Sequence, residues 1–500
     1  MSLADAPSTV LRRGPFIDGQ WLSSEAEASG VVERLNPADT SELVGTWLQA
    51  SAEQVDQAVA AATAFAPEWA ATALLARGRI LVRAAEIMLE RTEELARLLS
   101  REEGKTVAEA RGEVFRTAET IRFHGLQAWQ PVGEVFSGEN PTDLIRTHRV
   151  PVGVVAAITP WNFPLNTPAW KIAPALVWGC PVIWKPASFS ALTSAAMVDC
   201  FVDAGLPPRA LQLVPGPGVR GQQLAEHPDV KAVTFTGSER IGFLLQKIAA
   251  ENNKPIQAEL GGHNPAIVFA DADLDLAVSA LVTGFTSGTG QKCTGTRRIL
   301  VHTSVKDRLV EKLVAALGAL RVGNGADPAV QMGPIVDAGA REEIVAAIDK
   351  ALADGVTLLT GGSSVPPELS GGHFVLPTLF ETDDPRVEIA QEEVFGPVST
   401  VLPFEDDEEA FALANATRFG LSATVFTSNE VRARRAADVI HAGMININKS
   451  TTGSELHVPF GGLGTSSTPG PKEQGHVARD FFTELKAVYS TATFRPDPRA

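Results

Sequence analysis

Three cysteines stand in this chain, and one of them keeps company fit for chemistry. Cys293 lies in TSGTGQKCTGTRR, a Gly-rich loop with Lys292 beside it and hydroxyls around it. A neighbouring cation and hydrogen-bond donors favour a thiolate, so the segment suits a nucleophile. Gly288 and Gly290 let a ligand approach the backbone closely. Cys180 in VWGCPVIW and Cys200 in MVDCFVD have apolar neighbours and read as core residues. Glu259 ends an apolar run in QAELGGHNP, where a carboxylate can face a cavity as a general base. Asn162 sits between two prolines in TPWNFP, a rigid turn able to aim a side-chain amide at a developing oxyanion. In FTGSERIG a strand runs into Gly237, Ser238 and a helix start, which presents backbone amides to phosphate. Each feature also has a plainer reading: a surface thiol, a solvated carboxylate, an Asx turn, a Ser-capped helix.

Other chemistries find less support. GPGVRG (216–221) fits the dinucleotide pattern G-x-G-x-x-G, but Pro217 removes an amide donor and the following helix is short, so a plain turn is the better reading. The phosphate loop G-x-x-x-x-G-K-[ST] is absent. The nine histidines include no i, i+4 pair and no Cys/His cluster, so no metal site is expected.

The elements that must position these residues alternate. VGVVAAIT (152–159), PVIW (181–184), LQLV (211–214), AVTF (232–235) and IQAEL (256–260) are short apolar runs separated by helical patterns near 165–178 and 190–204. Continuous apolar strands between amphipathic helices predict a parallel sheet covered on both faces, with ligands beyond the strand carboxyl ends. A second series runs from AIVFA (266–270) through RRILVHT, helices near 305–320 and 337–354, and VSTVLPF (398–404). Residues 51–128 read as helical, opened by a Ser51–Gln54 capping box, and 131–143 is a break rich in turn formers. ELKAVYSTATF (484–494) alternates like an edge strand or an intersubunit arm. The fold class is therefore α/β, in more than one unit for 500 residues.

Composition excludes several classes. The apolar fraction is 44% and the charged fraction 20%, ordinary for a globular protein and wrong for a disordered chain or a coiled coil. A net charge of −16 repels phosphate backbones and anionic lipid, so neither nucleic acid nor a membrane surface is an expected partner. The N-terminal residues lack the apolar core of a signal peptide, and three cysteines suit a reducing compartment, so a cytoplasmic location is expected.

Taken together and in order, TPWNFP, IWKPAS, FTGSERIG, AELGGHNP, GQKC, EEVFGPV and PFGG resemble the aldehyde dehydrogenase superfamily over roughly residues 15–490. The 34-residue interval from Glu259 to Cys293 resembles that of the family as well. The resemblance implies a Rossmann-type dinucleotide-binding domain (1–125 and 150–261), an α/β catalytic domain (262–474), and a small β oligomerisation arm (126–149 and 475–495). It implies Cys293 as nucleophile, Glu259 as the base that activates water, and Asn162 with the Cys293 backbone N–H as oxyanion donors. For the cofactor it implies Trp161 in a lining turn, Lys185 and Ser188 near the adenine ribose, Gly237 and Ser238 at the pyrophosphate, and Glu393 and Phe395 at the nicotinamide ribose and ring. Homodimers or homotetramers are implied by the same analogy.

Three positions depart from the common pattern. Many NAD-using members carry an acid where Ser188 stands, and an uncharged residue there leaves Lys185 free to pair with a 2′-phosphate. NADP is therefore expected to serve at least as well as NAD. His263 replaces a frequent lysine, and Gly464 another. An acylating relative would pass its thioester to coenzyme A, but Glu259 argues for water instead. A non-catalytic relative of structural or binding function is the reading from another class, and it would not need Cys293, Glu259 and Asn162 together.

The closest resemblance in detail is to enzymes that oxidise α-ketoglutarate semialdehyde, 2,5-dioxopentanoate. The loop KSTTGSELHV (449–458) would line the substrate entrance, offering hydroxyls of Thr451, Thr452 and Ser454 to a carboxylate and no aromatic ring apart from the His457 imidazole. Phe163, Trp170, Thr294, Ser454 and Phe460 are the expected substrate contacts. No arginine anchor can be named from the sequence. Succinate semialdehyde and simple aliphatic aldehydes are the competing substrates.

Overall fold

The computed structural model describes residues 11–491. The ends of the expected first domain (1–10) and of the expected arm (492–495) lie outside the described residues. Two seven-stranded sheets dominate the chain. In the first, five parallel strands lie in the order Ile256–Glu259, Val230–Thr236, Val154–Ile158, Val182–Lys185 and Leu211–Leu213. Two short antiparallel strands, Phe16–Ile17 and Gln20–Trp21, extend it at one edge. The Val154–Ile158 strand is buried at every residue, as its unbroken apolar run requires when helices cover both faces. The chain leaves this strand in one direction to Val182–Lys185 and later returns on its other side to Val230–Thr236. The sheet order therefore reverses beside it, and such a reversal opens a crevice beyond the strand carboxyl ends.

The second sheet places Thr378–Glu381, Val398–Phe404, Thr296–His302, Asn264–Val268, Ser422–Phe426 and Met444–Ile447 in parallel, with Thr357–Thr360 antiparallel at one edge. A three-stranded antiparallel sheet joins Val135–Ser137 and Asp143–Pro151 to Thr483–Thr491.

Some expectations needed revision. Residues 51–128 form four main helices, Ala52–Ala71, Leu74–Glu90, Thr92–Glu103 and Val107–Leu126, and the first carries the Ser51–Gln54 capping box. The strands Leu11–Arg13, Gly30–Asn36 and Asp39–Gln49 make a small sheet that the mixed polar pattern did not announce. GPGVRG is more than a plain turn, because a helix starts at Gly218. A Cβ at Gly221 would make only ordinary contacts of 3.4 Å with the Ile158 and Lys185 side chains, so the helix packs on the sheet there without requiring glycine. Among the described residues no single helix is long and apolar enough to cross a membrane. The pair Ala52–Ala71 and Leu74–Glu90 passes by composition only and bends by 113°.

Candidate active site

A cavity of about 1020 Å³ opens between the carboxyl end of the first sheet and the amino end of the second. That is at the upper end for ligand pockets. Strand ends supply its wall. Pro160, Trp161 and Asn162 follow Val154–Ile158, whereas Thr236, Gly237 and Ser238 end or follow Val230–Thr236. From the other side come Cys293 and Thr294, which precede Thr296–His302. Phe163, Trp170, Ser454 and Phe460 also line the cavity, as do Glu393 and Phe395. Four expected residues do not, Thr451 of the entrance loop among them. Lys185 and Ser188 are absent from the lining, and Lys185 Nζ donates to the Pro186 carbonyl at 3.0 Å. Glu259 is turned away.

The Asn162 turn is bolted from beneath. Lys105 Nζ lies 2.5 Å from Glu113 Oε2 and donates to the Asn162 carbonyl at 2.8 Å. Glu113 Oε1 accepts the Leu165 and Asn166 amides at 3.0 and 3.3 Å. The Asn162 Nδ2 group donates to the Gln291 carbonyl at 2.8 Å, two residues before Cys293, and an amide has a second N–H to offer. Asn264 Nδ2 donates to the Cys293 carbonyl at 2.7 Å and fixes the other side of the loop. Gly262 is needed here, since a Cβ on it would lie 2.5 Å from that carbonyl.

Lys292 does not play the part expected of it. Its ammonium donates to Ser287 Oγ at 2.7 Å and lies 5.7 Å from the Phe163 ring. Burial pushes the Cys293 thiol up to about 12, with Glu393 and Glu259 adding to the shift. The resting sulfur is therefore a thiol, and a base must take its proton. Cys180 and Cys200 are buried in the core, pushed up to about 12 and about 11 by desolvation.

Glu259 is only 3% exposed. Its Oε2 accepts from Ser467 Oγ at 2.5 Å and from the Gly462 amide at 3.3 Å. Behind it, Lys171 Nζ pairs with Glu473 and donates to Thr234 Oγ1 at 3.1 Å, with lysine and glutamate both fully buried. Burial first, and the Glu473 charge second, push the Glu259 carboxyl well above the carboxylate range.

The crevice side fits a dinucleotide. Among the described residues Thr236 Oγ1 is buried without a partner, and Ser238 begins the helix Glu239–Glu251 with no side-chain cap bond, which leaves its hydroxyl unspent by the helix. Trp161 meets Phe395 and Phe189 edge-on at 5.7 and 6.3 Å, forming an aromatic wall. Glu393 Oε1 accepts the Gly262 amide at 3.3 Å, and burial pushes its carboxyl up to about 7.

A profile of the aldehyde dehydrogenase family matches residues 21–488. The chain belongs to that family. It is 41% identical over 491 residues to the alpha-ketoglutaric semialdehyde dehydrogenase of Bacillus subtilis, covering 98% of this chain and 99% of the relative. It is also 39% identical over 479 residues to a betaine aldehyde dehydrogenase of Rhizobium etli, covering 95% and 96%. A crystal structure of an NAD-dependent aldehyde dehydrogenase from Sinorhizobium meliloti superposes with a TM-score of 0.93 at 35% identity, covering 99% of this chain and 98% of that one.

Of the three hydroxyls expected from the loop 449–458, one leaves the cavity wall and two stay on it. Thr451 faces away from the cavity: it is buried and shares a hydrogen bond with Thr296 Oγ1 at 2.8 Å. Thr452 and Ser454 stay on the wall. Arg116 joins them from the helix Val107–Leu126, whose Glu109, Gly112, Glu113 and Arg116 fall on one face and line the cavity. One Arg116 Nη2 bond goes to the Ser454 carbonyl, and the nearest carboxylate, on exposed Glu455, stands off at 3.8 Å. The helical repeat held a signal for that stripe, but arginine on an amphipathic helix ordinarily faces water.

Proposed function

We propose that this aldehyde dehydrogenase oxidises a semialdehyde whose far end is a carboxylate, such as 2,5-dioxopentanoate, to the corresponding dicarboxylate. The observation that carries the reading is Arg116, which lines the cavity and whose carboxylate contact among the described residues is a loose pair with exposed Glu455 at 3.8 Å, one that a substrate carboxylate can displace. Ser454 holds it through its carbonyl, Thr452 lines the same cavity, and the Trp170–Phe460 pair, 4.8 Å between rings, gives an apolar wall for the intervening carbons.

The chemistry follows from the side chains. Cys293 first releases its thiol proton to solvent in the cavity, the thiolate sulfur then bonds to the aldehyde carbon as the carbonyl π bond opens onto oxygen, and Asn162 Nδ2 with the Cys293 amide hold the resulting alkoxide. One such donor is worth about 3–4 kcal/mol to the transition state. A bound nicotinamide dinucleotide supplies the hydride acceptor. Loss of hydride leaves a thioester on Cys293. Glu259 takes a proton from water as the water oxygen bonds to the thioester carbon, the C–S bond breaks, and the carboxylate product leaves.

Trp161, Gly237, Ser238, Glu393 and Phe395 would hold the dinucleotide, with Lys185 and Ser188 at its adenine end. Uncharged Ser188 supports use of NADP at least equal to NAD. The three-stranded sheet leaves Val135, Phe136, Leu485 and Tyr489 exposed, which supports assembly into a homo-oligomer, and a cytoplasmic location agrees with the composition.

The test compares kcat/KM for 2,5-dioxopentanoate, pentanal and betaine aldehyde with each dinucleotide. A site that reads a carboxylate favours the first by at least about tenfold, roughly 1.4 kcal/mol. Equal values, or a preference for betaine aldehyde, would overturn the assignment.

A further inference from the structure

Two lysines stand over one aromatic ring. The ammonium of Lys105 lies 4.5 Å from the centre of the Phe163 ring, and that of Lys292 lies 5.7 Å from it. Lys105 is spent. It pairs with Glu113 at 2.5 Å, has Glu103 at 3.9 Å, and donates to the Asn162 carbonyl at 2.8 Å. Lys292 is not spent. It lines the cavity, and among the described residues its ammonium makes one hydrogen bond, to Ser287 Oγ at 2.7 Å, and no ion pair. Glu109 is the carboxylate that acts on it most, yet the oxygens of Glu109 are taken by the Gly288 amide at 2.7 Å and by the Thr106 amide and hydroxyl at 3.1 and 3.0 Å. An ammonium has three N–H groups, so two of them are left for a ligand. Burial penalises the charge, with Glu109 opposing, so an acceptor arriving in the cavity is favoured.

The helix Val107–Leu126 sets the order of groups along the wall. Just before its first turn, Lys105 holds the Asn162 turn, which is the oxyanion end. Glu109, in the first turn, accepts the Gly288 amide, and a Cβ on Gly288 would lie 3.0 Å from Lys292 Cε, so this turn is level with Lys292. Arg116 follows two turns later, roughly 10 Å along the axis at about 1.5 Å per residue, and there it meets the Ser454 carbonyl. From the oxyanion end outward, the free cations come in the order Lys292, then Arg116. The groups of 2,5-dioxopentanoate, read from its aldehyde, come in the order ketone, then carboxylate. A lysine is a point donor on a flexible stem and suits a single oxygen, whereas the planar fork of arginine suits a carboxylate.

We propose that Lys292 is a specificity residue whose ammonium donates to the 2-oxo oxygen of the substrate while Arg116 holds the adjacent carboxylate, so that the cavity selects 2-oxo acid semialdehydes over plain carboxylate semialdehydes. This inference rests on the carboxylate reading proposed above and narrows it. A substrate without the ketone leaves the ammonium over the Phe163 ring with no new acceptor, and sites built to bond a polar group discriminate against the analogue that lacks it.

The experiment measures kcat/KM of the holoenzyme for 2,5-dioxopentanoate, 5-oxopentanoate and pentanal. The two acids have the same length and the same carboxylate, and two methylene groups insulate the aldehyde from the ketone. Wild type is expected to favour 2,5-dioxopentanoate over 5-oxopentanoate by about tenfold, the scale of one hydrogen bond from a charged donor. Lys292→Met should bring that ratio to within about twofold of one, and Lys292→Gln, which keeps a neutral donor, should fall between. A change beside Cys293 can slow every aldehyde, so the ratio between the two acids is the readout rather than the rate. A wild-type ratio near one, or a ratio that stays at the wild-type value in both Lys292 variants, overturns the proposal. Pentanal separates this failure from that of the broader reading: if both acids outrun pentanal while the Lys292 variants keep the wild-type ratio, the role of Lys292 falls alone, whereas if neither acid outruns pentanal in wild type, the carboxylate reading falls.

Discussion

Replacing Arg116 with methionine isolates the carboxylate contact on which the substrate reading depends. Methionine keeps the length and apolar stem of the side chain while removing every donor. The Arg116 side chain is 30% exposed, so its bond to a substrate carboxylate is partly screened by water. Hydrogen bonds to charged groups contribute about 1.5–3 kcal/mol, and partial exposure favours the lower half of that range, about 2 kcal/mol. At 1.36 kcal/mol per decade this is about a thirtyfold loss in kcat/KM for 2,5-dioxopentanoate. Pentanal, which offers nothing to the guanidinium, should lose less than about threefold. The ratio between substrates is the measurement, because Arg116 also holds the Ser454 carbonyl and its loss relaxes that loop for both. Arg116→Lys keeps the charge without the planar fork, so it should fall between the two. High salt should weaken the wild-type preference and leave the methionine variant's ratio flat. Parallel losses for both aldehydes would refute the reasoning and reduce Arg116 to a support for the loop.

Three further outcomes follow from the geometry. Cys293→Ala should abolish aldehyde oxidation with the thermal midpoint within a few degrees of wild type, because a small side chain on a cavity wall carries little packing; wild-type turnover would displace Cys293 as nucleophile. Lys171→Met should cost about 3–5 kcal/mol in urea unfolding, since it strands Glu473, whose second oxygen is already without a partner among the described residues; a loss under about 1 kcal/mol would show that solvent reaches the pair. Ser188→Glu should shift preference toward NAD through repulsion of a 2′-phosphate, measured as the ratio of kcat/KM for the two dinucleotides; an unchanged ratio would show that position 188 does not read the ribose.

The sequence by itself determined the family, the α/β class and the residues to suspect. Those signals are local. An unbroken apolar run such as VGVVAAIT can be satisfied only by burial on both faces, and motifs such as TPWNFP, AELGGHNP and GQKC each hold a candidate functional side chain within a few residues of the glycines or prolines that shape its backbone. The early strands of residues 11–49 were not legible, because their short mixed pattern has no period until a partner strand decides which face is inside. Only the tertiary structure decided where charge lies. Lys292 adjoins Cys293 in sequence, yet its ammonium turns to Ser287 and leaves the thiol protonated. Three loop hydroxyls looked equivalent until Thr451 paired with Thr296, 155 residues away. Arg116 differs from a solvent-facing helical arginine only because another segment's loop closes over its face of the helix. Glu259 accepts a hydrogen bond from Ser467 Oγ, 208 residues along the chain. Ionisation and hydrogen bonding respond to what surrounds a group in space, and in this fold those surroundings come from segments that the sequence keeps far apart.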